Sequence, residues 1–191
     1  MNHGEQRHRG PHPAHSGLTE HPSIPTDPDW PEGRFRAASD LLAHATALPQ
    51  DVIQLLLTLG RWRGPAAGEI LFRANVPSDF WLLVLRGRVT LEMLVPGRGK
   101  VPILTLGPGD IVGWSAVLGH EQMTTSAVAS DDETEVVAFP AAEVHALCQR
   151  DPVVGYHLMR HLAQSLADRL IATRLQLLDL YAHPPREAHG Q

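Results

Sequence analysis

The sequence predicts a mainly β fold with flanking helices, in which a small antiparallel barrel or jelly roll sits between two N-terminal helices and a long C-terminal one. Three observations carry that reading. From Ile70 to Pro140 the chain runs in short apolar or alternating segments of strand length, broken by Pro77-Ser78-Asp79, Gly87, Pro96-Gly97-Arg98-Gly99 and Gly107-Pro108-Gly109. Before this stretch the apolar residues recur at helical spacing. After it a helical pattern resumes and persists to Tyr181.

Taken in order, residues 1–33 are rich in His, Pro, Gly and charge and carry too little apolar surface to offset the entropy of ordering, so a disordered tail is expected. His3, His8, His12, His15 and His21 lack the fixed spacing of a metal site. The domain is expected over 34–150. Phe35, Ala38, Leu41, Leu42 and Ala45 form one stripe, and Pro49 opens a second helix through Leu59. Strands follow, the last two near Thr124–Ser130 and Glu135–Pro140, at spacings that suit a barrel. A short helix over Ala141–Cys148 comes next. Then Asp151, a natural N-cap, and Pro152, at ease in a first turn, open a helix that the sequence carries through 151–182, leaving 183–191 as a second tail.

That last helix is too long for a small barrel to cover. Met159, Ala163, Leu166, Leu170, Leu177 and Tyr181 recur along it, and its far end, RLQLLDLY, has nothing in its own chain to pack against. A second copy of the helix solves the problem, so a two-fold homodimer is expected.

Composition narrows the function classes. A chain of 191 residues supports one core, and its net charge of −5, with Lys100 its single lysine, is a poor footprint for nucleic acid. The apolar run DVIQLLLTL falls well short of the ~20 residues that span a bilayer, and the N-terminus lacks the apolar core of a signal peptide, so a cytoplasmic protein without a membrane partner is expected. Cys148, the one cysteine, has no second thiol to pair with, and its apolar neighbours suggest a core position.

The segments GEILFRANVPSDFWLLVLRGRVTLEM (68–93) and LGPGDIVG (106–113) resemble the cyclic-nucleotide-binding domain of the catabolite-activator type. The first is similar to that family's Gly-Glu entry, strand, polar turn and glycine-bearing hairpin. The second is similar to the glycine turn leading into its phosphate-binding cassette, and the similarity covers about 36–181. The resemblance implies a double-stranded β-helix barrel, and it implies a cassette of the form Gly-Glu-x-Ala-Leu-Leu, four residues, Arg-x-Ala-Thr/Ser. Laid on this chain without a gap, the cassette places Gly113 on its glycine, Trp114 on its glutamate, Ala116 on its alanine and Met123 on its arginine.

A phosphate cradle of this kind needs backbone N–H groups at a helix start, a guanidinium for the phosphate and a carboxylate for the ribose hydroxyl. Only the first survives here. Ser115 and Ala116 can offer N–H groups, and Thr124, Thr125 and Ser126 can offer hydroxyls, so Gly113, Trp114, Ser115, Ala116, Met123, Thr124, Thr125 and Ser126 form the candidate, degenerate, ligand site. No cofactor is implied, and a cyclic nucleotide or another small ligand stays open as an occupant. GWSA and the final helix also resemble small bacterial members of the superfamily that consist of the sensory domain alone. Only AHPPREAHGQ follows Tyr181, so operator binding by the family's helix-turn-helix is not expected.

Enzyme readings find no support in the residues. A metal-dependent barrel needs inward His and carboxylate ligands, yet between Ile70 and Pro140 the only histidine is His120, and Glu92 and Glu121 stand apart from any His-x-His. His145, and the pair His157 and His161 one turn apart, read as solvated helix face rather than metal ligands. Ser115 and Ser126 have no base in sequence reach. Two readings remain: a regulatory ligand-binding module that reports to a separate effector protein, or a ligand-free dimeric scaffold whose pocket is filled by its own Trp114 and Met123.

Overall fold

A computed structural model describes residues 30–119 and 122–182, with backbone alone for residues 176, 177 and 179–182. The expected tails at 1–29 and 183–191, with their histidines, and His120 and Glu121 lie outside the described residues.

Among the described residues two helices come first, α1 (Arg34–Ala45) and α2 (Gln50–Leu59). Eight strands follow: β1 (Arg61–Arg63), β2 (Ile70–Phe72), β3 (Phe80–Arg86), β4 (Val89–Val95), β5 (Gly99–Leu106), β6 (Ile111–Val112), β7 (Ser126–Ala129) and β8 (Glu135–Pro140). A single-turn helix, α3 (Trp114–Val117), interrupts them after β6, and α4 (Ala141–Arg150) and α5 (Pro152–Ala182) follow β8. The strands form two antiparallel four-stranded sheets, in the orders β1-β8-β3-β6 and β2-β7-β4-β5, which face each other as a jelly roll.

The register explains why β3 and β8 read as unbroken apolar runs instead of alternating. Leu82 pairs with Ala138 and Leu83 with Val137. Phe80, Leu82, Val84, Val136 and Ala138 point into the space between the sheets, while Trp81, Leu83, Val137 and Phe139 point outward to the helices. This sheet is covered on both faces, so both side-chain sets are apolar. On its outer face Trp81 stacks on Phe139, with ring centroids 4.3 Å apart and planes 17° apart.

The described residues thus form two cores. One fills the barrel and the other lies between the sheet and α1, α2, α4 and the start of α5. The N-terminal helices are tied at Ser39, whose buried hydroxyl accepts from Gln50 and Gln54 at 3.0 and 2.8 Å. Ala38 and Leu42 carry the α1 stripe inward, whereas Ala45 is exposed at the helix end. Trp30, within the segment expected as tail, packs edge-on against Phe35 at 5.3 Å and joins the helical core.

Three boundaries differ from expectation. Strand β1 is made of RWR, residues without apolar alternation; pairing with β8 makes it a strand, and ion pairs from Arg61 to Glu143 and Arg63 to Glu69 at 3.6 and 2.6 Å hold its side chains. Strand β7 starts at Ser126 rather than Thr124, because the backbone of Met123 pairs with the loop at Asn75 and Val76. Helix α4 runs two residues past Cys148. Asp151 caps α5 as its position suggests, its Oδ1 accepting from the N–H groups of Val153 and Val154 at 3.0 and 3.3 Å. Among the described residues no helix is long and apolar enough to cross a membrane.

Candidate functional site

Gly113 sits at the end of β6 with φ 79° and ψ 32°, a left-handed conformation that turns the chain sharply into α3. One turn of helix divides its side chains between the two cores. Ala116 joins the barrel cluster, while Trp114 and Val117, three residues apart and so on one face, pack against the helical cluster. The indole therefore lies on the outer side of the sheet and not among the residues that fill the barrel. The Ala116 N–H, expected to be free for an anion, donates to the Gly113 carbonyl at 3.1 Å, and Ser115 is buried.

Met123 occupies the barrel itself. Its side chain is 3% exposed within a cluster that includes Phe72, Val89, Leu106 and Ala127. Both its backbone groups are held by the loop after β2: its N–H donates to Val76 at 3.1 Å and its carbonyl accepts from Asn75 at 2.8 Å. A β-carbon built on Gly113 would stand 3.1 Å from Phe72 and 3.4 Å from the Met123 Cε. Apolar side chains thus press directly on Gly113. Of the three candidate hydroxyls, Thr124 is exposed and Thr125 half-buried, while the Ser126 Oγ accepts from the Ala74 N–H at 3.0 Å and so anchors the same loop.

The cassette strand is also held from behind. Arg169, on α5, donates from Nη2 to the Ile111 carbonyl at 2.6 Å and lies 3.7 Å from the Asp110 carboxylate. Burial pulls its pKa below the usual arginine value, and neighbouring Asp110 opposes that shift. Asp110 in turn accepts from the Gly107 N–H at 2.9 Å. Beside this link opens a cleft of about 610 Å³, whose lining includes Ala45, Thr46, Asp110, His161, Asp168 and Arg169. Sequence reasoning missed Asp110 and Arg169, since an acid in a glycine turn and an arginine in a helix are ordinary in isolation.

His161 departs from its expected solvated role. It lines both that cleft and a small apolar cavity bounded by Leu42, Trp81, Phe139 and Leu158, and burial lowers its pKa from 6.5. Cys148 packs against the helical core as expected, and burial raises its thiol pKa. No group of three or more metal-ligating side chains occurs among the described residues. On the expected dimer stripe, Met159, Ala163 and Leu170 are exposed and Leu166 is half-buried; the side chains of Leu177 and Tyr181 lie outside the described residues.

A family model for the cyclic nucleotide-binding domain matches residues 65–151. The cyclic AMP receptor protein of Thermus thermophilus is 30% identical over 127 residues, covering 66% of this chain and 57% of the receptor. Lysophospholipase nte1 of Aspergillus fumigatus is 28% identical over 131 residues, covering 67% of this chain and 8% of that protein. The chain therefore spans less than two thirds of either relative. The crystal structure of a cyclic nucleotide-binding domain from Methylobacillus flagellatus superposes with a TM-score of 0.68 at 20% identity, covering 76% of this chain and 83% of that one. Strand order, flanking helices and the match over 65–151 together give this chain the jelly-roll fold of the cyclic nucleotide-binding domain superfamily.

Proposed function

We propose that the chain is a regulatory module of this superfamily whose phosphate cradle keeps its backbone course but is closed to a cyclic nucleotide in the usual pose. The observation that carries the reading is Met123, buried in the barrel at the position the family's pattern gives to arginine and packed toward Gly113. Hydrogen bonds to charged groups contribute about 1.5–3 kcal/mol each, so loss of the guanidinium alone weakens phosphate binding by roughly ten- to a hundredfold or more. The site acts by binding, not by catalysis.

Helix α5 is the output element in this reading. Leu170, Ile171, Leu175 and Leu178 are between 53% and 63% exposed along its far half, and a second copy of the same helix covers such a stripe in a homodimer. An effector protein reads the dimer. A second reading, a ligand-free scaffold, draws on the same methionine, because a barrel already filled by its own side chain has no need of an occupant.

The test is a calorimetric titration of cyclic AMP into the wild-type chain and into the Trp114→Glu/Met123→Arg double variant. The wild type is expected to bind nothing at micromolar nucleotide, and the double variant to bind measurably. Micromolar binding by the wild type overturns the closed cradle. A folded double variant that ignores millimolar nucleotide overturns the gapless placement of the cassette on Gly113 and Met123.

A further inference from the structure

Past Leu162 no described residue of α5 is buried, yet the helix still reaches the barrel through Arg169. The guanidinium spans the edge of the cleft and lands on the carbonyl of Ile111, two residues before Gly113. Its neighbours in sequence, Leu170 and Ile171, belong to the exposed stripe. Arg169 therefore joins the exposed half of α5 to the strand that leads into Gly113.

The landing point is rigid. The Asp110 carbonyl accepts from the Val84 N–H at 3.0 Å, the Val84 carbonyl accepts from the Gly109 N–H at 2.9 Å, and the Asp110 carboxylate accepts from Gly107. The turn before Ile111 is thus fixed, and only Val112, paired with Leu82, separates the held carbonyl from Gly113. The link is also under-satisfied. The Arg169 Nε is buried without a hydrogen-bond partner, a cost that opposes the contact Nη2 makes. A tie that gains at one nitrogen and loses at another is poised between made and broken, which suits a switch better than a permanent strut.

Resting on the regulatory reading above, we propose that Arg169 is the positioning residue that transmits the state of α5 to the cassette, by holding or releasing the Ile111 carbonyl. Force on the apolar stripe reaches Gly113 through this guanidinium.

Hydrogen exchange of the full chain, read on peptides covering 107–119 and on control peptides covering β3 and β8, tests the proposal without any nucleotide. Arg169→Met keeps the aliphatic stem and removes the fork; it is expected to speed exchange in 107–119 by about fivefold or more, the change a lost hydrogen bond gives, with the controls little altered. Arg169→Lys, able to reach one acceptor, is expected to fall between. Leu175→Asp on the exposed stripe is expected to change exchange in 107–119 in the wild-type background and to have no further effect beside Arg169→Met. A uniform rise across all peptides in the Arg169→Met chain means a structural role and overturns the proposal. So does a Leu175→Asp effect of equal size in both backgrounds, or none in either. Because the cyclic AMP titration reads the cradle and this experiment reads the unliganded chain, each idea can fail without the other.

Discussion

Met123 and Gly113 are in near contact across the mouth of the barrel, the thioether methyl lying 3.4 Å from where a β-carbon on the glycine would stand. The side chain is unbranched and adaptable, the type that fills irregular gaps, and here it fills the barrel beside Gly113. Met123→Ala is expected to cost about 2–5 kcal/mol, as a buried large-to-small change does, measured by urea unfolding. A loss within about 0.5 kcal/mol, the range of ordinary surface substitutions, would mean that the barrel does not depend on methionine as its filler.

Gly113→Ala and Gly119→Ala separate two costs. Both glycines have left-handed φ values, 79° and 75°, so each substitution carries the roughly 1–2 kcal/mol of placing an L-residue there. A β-carbon at Gly119 meets nothing within 4 Å, whereas at Gly113 it meets Phe72 at 3.1 Å. Gly113→Ala is expected to be the more destabilising in thermal unfolding. Equal losses would show that Phe72 and Met123 yield without strain.

His161 gives the fold an acid sensitivity with a definite sign. Its folded-state pKa is below the ordinary 6.5, so under acid the unfolded chain takes up the proton first. The stability tied to this residue is complete above pH 6.5 and is lost as the pH falls through 6.5 toward the folded-state value, below which it changes no further. His161→Leu is expected to lower the melting temperature less than the wild type between pH 7.5 and pH 5.5. Identical pH profiles would place the imidazole in solvent.

The exposed stripe on α5 predicts self-association. Leu170→Asp with Leu178→Asp puts two carboxylates on a surface more than half exposed in the single chain, so folding should change by about 0.5 kcal/mol or less while a helix-on-helix dimer should fail. Sedimentation velocity is expected to show a dimer for the wild type and a monomer for the variant. A wild type that remains monomeric at 100 times the usual micromolar working concentration would remove the dimer from the model of function.

Much of this architecture is legible in the sequence because its signals are local. Pro152 after Asp151 opens α5 where expected, and the Pro96-Gly99 turn closes the β4–β5 hairpin. What escapes the sequence is set by partners far along the chain. Arg61–Arg63 carries no strand pattern and is a strand because Val136–Ala138 lies beside it. The direction of Trp114 escapes the sequence too, since it depends on the left-handed turn at Gly113 and on a helix of four residues. His161 reads as a surface histidine until α1 and β3 are folded over it.

The sheet orders also say when this protein can fold. In β1-β8-β3-β6 the strand between β1 and β3 is β8, which the chain reaches only at Glu135–Pro140, and in β2-β7-β4-β5 the strand between β2 and β4 is β7. A nascent chain that has left the ribosome as far as β6 owns most of its strands and neither sheet, because each lacks its middle. Until residue 140 emerges, FWLLVLR has no partner on one side and must be kept from the company of other chains. Such long-range closure makes folding slow and late, so the period of synthesis, rather than the finished fold, is when this molecule is most exposed to aggregation.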